Sequence, residues 1–261
     1  MRSGLLAELM AGALEDAAAR AQRLPARTLE AQAIAAPAPR DALAALAPRD
    51  AVHVIAEIKR ASPSRGALAE IPDPTELARA YEAGGASAIS VLTEGRRFGG
   101  SLSDLRAVRE AVGLPVLRKD FIGNEYQILE ARAAGADLVL LIVAALDQPV
   151  LARLHAFIGE LGMTPLVEAH DAEELDRAGE VGARLVGVNA RDLTTFELDP
   201  ELFGRLADDF PPDAIRVAES AVRTAQDVAR YRADGADAVL VGEALVTGGD
   251  PATAVRSFLE G

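Results

Sequence analysis

The 261-residue chain contains no cysteine. That absence removes disulfides, cysteine–zinc sites and a thiol nucleophile together, and makes a reducing compartment, the cytoplasm, the expected setting. Tryptophan is also absent, and aromatic residues make up only 4% of the chain. Positive charge is scarce: 27 Lys and Arg stand against 40 Asp and Glu, for a formal net charge of −13. A surface that acidic repels nucleic acid and anionic membrane, so neither is expected as a partner. An anionic small molecule would need a local basic pocket. No apolar run approaches the roughly twenty residues of a membrane span. The N-terminal segment mixes Glu8, Glu15 and Asp16 into its apolar pattern, which is unlike a secretory or transit segment and reads as an amphipathic helix.

Metal and nucleotide signatures are missing as well. The three histidines, His53, His155 and His170, are far apart and form no HExxH pattern. His53 starts an apolar run and His155 falls within a helical one, so both read as structural. His170, just past Glu168, has two readings, lining a site at the end of a strand or entering a helix, of which the helix entry is preferred. Gly99-Gly100-Ser101 lacks the rest of a phosphate-binding Walker loop. No metal is expected.

What is present is a repeat. AGGASAISVL (83–92), AAGADLVLLI (133–142), EVGARLVGVN (180–189) and ADGADAVLVG (233–242) each end a polar, helix-period segment on Gly and then enter a Val/Ile/Leu run. Gly there is suited to cap a helix at positive φ, and the run is the length of a buried parallel strand. VHVIAEI (52–58), PVLRKDF (115–121), TPLVEA (164–169) and IRVAES (215–220) complete eight strand candidates. Helical patterns lie between them, near 74–84, 102–112, 124–135, 147–161, 171–182, 199–209, 223–233 and 250–260. Asp73, Ser101, Asn124, Asp171 and Asp250 stand at plausible caps. Eight alternating units point to a (β/α)8 TIM barrel; a doubly wound open sheet is the alternative, with the GxGxxG turn missing after the first strand. Residues 1–50 form an N-terminal helical extension of one or two helices, with a linker at Pro37-Ala38-Pro39. Residues 51–261 form the barrel, the whole reading as a single domain.

In such a barrel alternate strand residues point inward, and active sites lie at the C-terminal strand ends. On that pattern Glu57 and Lys59, Lys119, Glu168, Asn189 and Glu219 all face the mouth, from five strands. Burying that many ionisable groups costs several kcal/mol per ion unless they pair well, and such an assembly points to a reactive site. SPSRG (62–66), AESAV (218–222) and LVGEAL (240–245) follow strands one, seven and eight, where this fold often holds phosphate through backbone N–H groups. Gly242 would let the backbone approach closely.

Together AEIKRASPSRG (56–66), ISVLTEGRRFGGSLSDL (89–105), PVLRKDFI (115–122), PLVEAH (165–170), VGVNARDL (186–193), AESAV (218–222) and VGEALV (241–246) resemble the indole-3-glycerol phosphate synthase family. The resemblance runs across nearly the whole chain. It implies a carboxy-lyase of tryptophan biosynthesis that closes 1-(2-carboxyphenylamino)-1-deoxyribulose 5-phosphate to an indole, with loss of CO2 and water and without cofactor. It implies Lys119 as general acid, Glu168 as general base, and Lys59 as a group that contacts substrate anions and is a second candidate acid; the resemblance does not assign the two lysines to their steps. Glu57 and Glu219 would orient the lysines and substrate hydroxyls, and Asn189 would bind substrate. Arg191 would hold the anthranilate carboxylate, with Phe98 and Phe121 beside the ring. Ser62, Ser220, Gly242 and Glu243 match the phosphate site. The expected partner is thus a phosphorylated small molecule, with the chain a monomer or weak homo-oligomer.

Two other readings are weaker. A phosphoribosylanthranilate isomerase would favour a Cys–Asp pair, and a silent partner subunit has no need of Lys59, Lys119 and Glu168 together. One departure bears on affinity: the family commonly has Glu-Ser-Gly after strand seven, and this chain has Glu219-Ser220-Ala221. If Gly serves a positive φ there, Ala costs about 1 kcal/mol or more. If Gly only allows close approach, Ala is a mild obstruction.

Overall fold

The computed structural model describes residues 4–62, 65–192, 197–247 and 249–260. Pro63 and Ser64 of the SPSRG loop, and Leu193 at the end of VGVNARDL, lie outside the described residues. Eight parallel strands close into a barrel. They are β1 (His53–Ile58), β2 (Ala88–Leu92), β3 (Val116–Lys119), β4 (Leu138–Ile142), β5 (Thr164–Ala169), β6 (Leu185–Asn189), β7 (Ile215–Glu219) and β8 (Ala238–Val241). Each pairs with the next in sequence, and β8 closes on β1 through Ile55 opposite Leu240. All eight expected strands are present, so the closed barrel replaces the open-sheet alternative.

The helices form where apolar periodicity meets a cap. α1 (Leu5–Arg23), α2 (Ala26–Ala35) and α3 (Ala42–Ala45) make up the extension. The third is a single turn that the sequence pattern does not reveal, started by the Asp41 side chain accepting the Ala44 N–H. The outer layer is α4 (Pro74–Gly84), α5 (Leu102–Ala111), α6 (Glu125–Ala133), α7 (Gln148–Glu160), α8 (Ala172–Glu180), α9 (Leu202–Arg205), α10 (Ala225–Ala233), α11 (Glu243–Thr247) and α12 (Pro251–Leu259). Asp73, Ser101, Asn124, Asp171 and Asp250 each accept a backbone N–H from the first turn of the following helix, as expected. The repeat's glycines Gly85, Gly135, Gly182 and Gly235 all hold positive φ between helix and strand.

Two local features differ from the sequence pattern. The segment 199–209 is not one helix but α9 followed by a 3-10 turn, Ala207–Asp209. Phe203 is fully buried there against Phe210 and Tyr231, and Leu206 departs from helical angles to let the chain turn back. The loop after β1 contains a two-residue antiparallel ribbon, Ala61–Ser62 against Gly66–Ala67.

The extension is not a separate layer. Leu9, Met10, Ala13, Ala42 and Leu46 belong to the same apolar core as the barrel strands. Among the described residues, no helix is long and apolar enough to cross a membrane.

Candidate active site

Parallel register brings the expected charges together at the C-terminal strand ends. β6 and β7 pair Asn189 with Glu219, and β1 and β2 pair Glu57 with Ser90. Glu57, Glu168 and Glu219 are each no more than 3% exposed. Lys119 Nζ stands 3.5 Å from Glu168 Oε2 and 3.4 Å from Glu219 Oε2, while Lys59 Nζ lies 2.6 Å from Glu57 Oε2.

Two glycines make room for this packing. A Cβ on Gly187, two residues before Asn189 on β6, would lie 2.2 Å from Glu219 Oε1. A Cβ on Gly242 would lie 2.3 Å from Glu57 Oε2 and 3.1 Å from Lys59 Nζ. Gly242 therefore makes space for a buried ion pair, a role that the loop's sequence did not suggest.

The electrostatics follow from burial and proximity. Burial disfavours the Lys119 ammonium, but Glu168, Glu219 and Glu57 outweigh it and raise its pKa. Burial also pushes Glu168 up, yet Lys119 and His170 overcome it and hold Glu168 below the usual carboxylate range. For Glu219 burial dominates, the Glu168 charge adds to it, and the pKa is pushed up to about 8. Neither Glu219 oxygen has a hydrogen-bond partner among the described residues. The cluster thus holds an ammonium beside two carboxyl groups whose proton affinities are pushed in opposite directions. Such a set can donate one proton and accept another.

Two adjoining cavities open over the cluster. The larger, about 410 Å³, is lined by Arg65, Arg191, Arg223, Ser220, Gly242 and Glu243. The smaller, about 100 Å³, is lined by Ser62, Phe98, Phe121, Asn189, Glu168 and Leu9 of α1. Glu57, Lys59, Lys119 and Arg191 border both. Every residue expected at the site therefore lines one cavity or the other. The larger is the local basic pocket that an acidic chain needs to hold an anion; Arg65 there also pairs with Glu243 at 2.7 Å. The Phe98 and Phe121 rings stand 6.0 Å apart and tilted.

Ser220 donates its hydroxyl to Asn189 Oδ1 at 2.8 Å, and that oxygen also accepts the Arg191 N–H at 3.0 Å. Ser220 and Ala221 hold φ of +67° and +55°. The left-handed conformation that would favour Gly is present at Ala221, so the strain reading of the Gly-to-Ala departure applies.

Several groups escaped the sequence analysis. Glu94, 5% exposed, accepts the N–H groups of Arg96, Arg97 and Phe98, and so folds the loop that presents Phe98. Arg96 from that loop pairs with Glu15 and Asp16 on α1, fastening the extension beside the mouth. The Glu94 bonds are local in sequence, while the Arg96 clip depends on tertiary contact. The histidines divide as expected for two of them. His53 is bonded through both ring nitrogens, to Ser87 and Ala47, and His155 lies half-buried on α7. His170 does stand at the start of a helix, but it also reaches Glu168.

A closed parallel barrel with its acid–base cluster at the C-terminal face defines the class: a (β/α)8-barrel enzyme. The particular family follows from comparison with known proteins. The family model described as indole-3-glycerol phosphate synthase matches residues 6–258, and the chain belongs to that family. A protein named indole-3-glycerol phosphate synthase from Leifsonia xyli subsp. xyli is 69% identical, over 97% of each chain. One of the same name from Micrococcus luteus is 58% identical, over 97% of this chain and 96% of its own. Among solved structures, thiamine phosphate pyrophosphorylase from Pyrococcus furiosus is similar at a TM-score of 0.59 and 15% identity, covering 80% of this chain and 94% of that one. That likeness concerns the fold alone.

Proposed function

We propose that the chain is an indole-3-glycerol phosphate synthase that closes 1-(2-carboxyphenylamino)-1-deoxyribulose 5-phosphate to indole-3-glycerol phosphate, CO2 and water. One observation carries the reading beyond family membership. The lysines and carboxylates sit between an arginine-lined cavity and an aromatic-lined one. That matches a substrate with a phosphate at one end, an aryl ring at the other and its reacting atoms between.

In this reading Ser62, Ser220, Gly242 and the Glu243 N–H hold the phosphate. Phe98 and Phe121 flank the ring, and Arg191, which borders both cavities, takes the anthranilate carboxylate. Asn189 binds substrate hydroxyls. The ring carbon bearing the carboxylate attacks the ribulose ketone, and Lys119 protonates the developing alkoxide. The carboxylate then leaves as CO2, its bonding pair restoring the ring's electrons. In the second half Glu168 takes a proton from carbon while Lys59 donates one to the departing hydroxyl, which leaves as water. Glu57 and Glu219 hold the two lysines. The sequence is redox-neutral, and side chains supply every proton it needs.

The same reading treats the helical extension, residues 1–50, and the barrel, residues 51–261, as one domain. It places the protein in the cytoplasm as a monomer or weak homo-oligomer. The test is growth of indole fluorescence on mixing purified protein with the carboxyphenylamino-deoxyribulose phosphate, with Lys119→Met alongside. Signal from the wild type alone is expected. A folded wild type that gives none would instead favour a catalytically silent barrel.

A further inference from the structure

The passage Glu168-Ala169-His170-Asp171-Ala172-Glu173-Glu174 joins the mouth of the barrel to the first turn of α8. Asp171 caps the helix by accepting the Glu174 N–H at 2.9 Å. The spacing is that of a capping box, in which the third residue of the helix reaches back to the cap's own N–H. Here it reaches one residue further. Glu174 Oε2 accepts the His170 backbone N–H at 2.8 Å and lies 3.0 Å from the His170 Nδ1. The ring is thereby fixed in the direction of the barrel, and its Nε2 stands 3.5 Å from Glu168 Oε1, an ion-pair distance rather than a hydrogen bond. The other oxygen of the same carboxylate faces Lys119. The His170 and Glu174 side chains are only 14% and 6% exposed, so little water competes for these contacts.

We propose that His170, anchored by Glu174, is a positioning residue for Glu168: it holds Oε1 and keeps the carboxylate ionised, leaving Oε2 directed at Lys119 and the proton to be removed. The inference rests on the reading of Glu168 as the base. Nδ1 and Nε2 both face carboxylate oxygens, so the ring is most stable with a proton on each nitrogen. Burial opposes that charge, but Glu168 and Glu174 outweigh it, and the His170 pKa is raised to about 10. The groups that face Glu168 are Lys119 from β3, Asn189 from β6, Glu219 from β7 and His170 itself. Glu57 from β1 acts on Lys119 and Glu219. Two cations therefore oppose the repulsion from Glu219 whenever that group ionises. Without His170 one cation remains, and Glu168 binds a proton at higher pH.

The experiment is the pH profile of kcat/KM for His170→Phe, His170→Gln and Glu168→Gln, measured on the carboxyphenylamino-deoxyribulose phosphate. The acid limb of His170→Phe is expected to move up by about one pH unit, a tenfold loss of activity on that limb. His170→Gln retains an N–H donor without the charge and should show a smaller shift in the same direction. Profiles of both variants that superimpose on the wild type, with Glu168→Gln inactive, would overturn the role of His170 and leave Glu168 as base. A fully active Glu168→Gln would instead remove the base assignment and the inference with it. If neither His170 variant folds, ring-nitrogen NMR of the wild type decides: an imidazolium through pH 8 is expected, and a neutral ring at pH 7.5 overturns the proposal.

Discussion

The two ends of the barrel treat their charges differently. At the N-terminal end, Asp137 and Asp237 immediately precede β4 and β8, at the same place in the Gly-Ala-Asp repeat. Asp137 accepts the Arg40 N–H at 2.7 Å and the Val116 N–H at 2.8 Å, and has Arg109 at 3.1 Å. Asp237 accepts the Arg216 N–H at 2.8 Å. Each carboxylate ties its own strand to the one before it, with short bonds. At the mouth Lys119 keeps 3.4–3.5 Å from its carboxylates, and Glu219 has no hydrogen-bond partner among the described residues. The Glu57–Lys59 pair is the one tight contact among the mouth's lysines and carboxylates. One end commits both aspartates to short bonds that hold the fold; the other leaves hydrogen-bonding capacity at its carboxylates.

Four substitutions test that contrast. Lys119→Met should have the largest effect, lowering turnover by about 10²–10⁴-fold while circular dichroism shows the fold retained. Simultaneous loss of fold and activity would erase the distinction between the two ends. Asp137→Ala should do the opposite. It strips the acceptor from one buried and one partly buried N–H group and should cost about 3 kcal/mol in urea unfolding, with kcat/KM within about twofold of wild type.

Glu219→Gln sharpens the comparison through pH. A neutral Glu219 favours the folded chain fully below the ordinary carboxylate pKa. That advantage is lost as pH rises to about 8. The unfolding midpoint of wild type should therefore fall between pH 5 and 8 more steeply than that of Glu219→Gln. Equal slopes would mean that Glu219 is ionised throughout. The smallest effect is expected for Ala221→Gly. Relief of the left-handed strain should add about 1 kcal/mol, or about 2–4 °C in Tm, and tighten binding of inorganic phosphate. An unchanged Tm would show that Ala221 holds its conformation at no cost.

Much of this was readable in the chain because barrels repeat. The Gly before four of the eight Val/Ile/Leu runs marked helix ends and strand starts, and the period of two placed Glu57, Lys119, Glu168, Asn189 and Glu219 on one face. What escaped was set by tertiary contact. The segment 199–209 has the right composition for a helix, but burying Phe203 breaks it. α3 is too short for periodicity to show. The contact from His170 to Glu168 depends on where Glu174 folds back, and no spacing rule reports that. Gly187 and Gly242 could be read only as backbone features until the carboxylates beside them were seen.

Those two glycines also bear on the portability of the site. The reactive cluster is usually thought of as a set of side chains to be installed. Here it also consists of two side chains that must be left out, because a single methyl group at either position would overlap a carboxylate oxygen. A designer moving Glu57, Lys59, Lys119 and Glu219 onto another barrel could copy all four and still fail, unless the recipient were bare at the positions of Gly187 and Gly242.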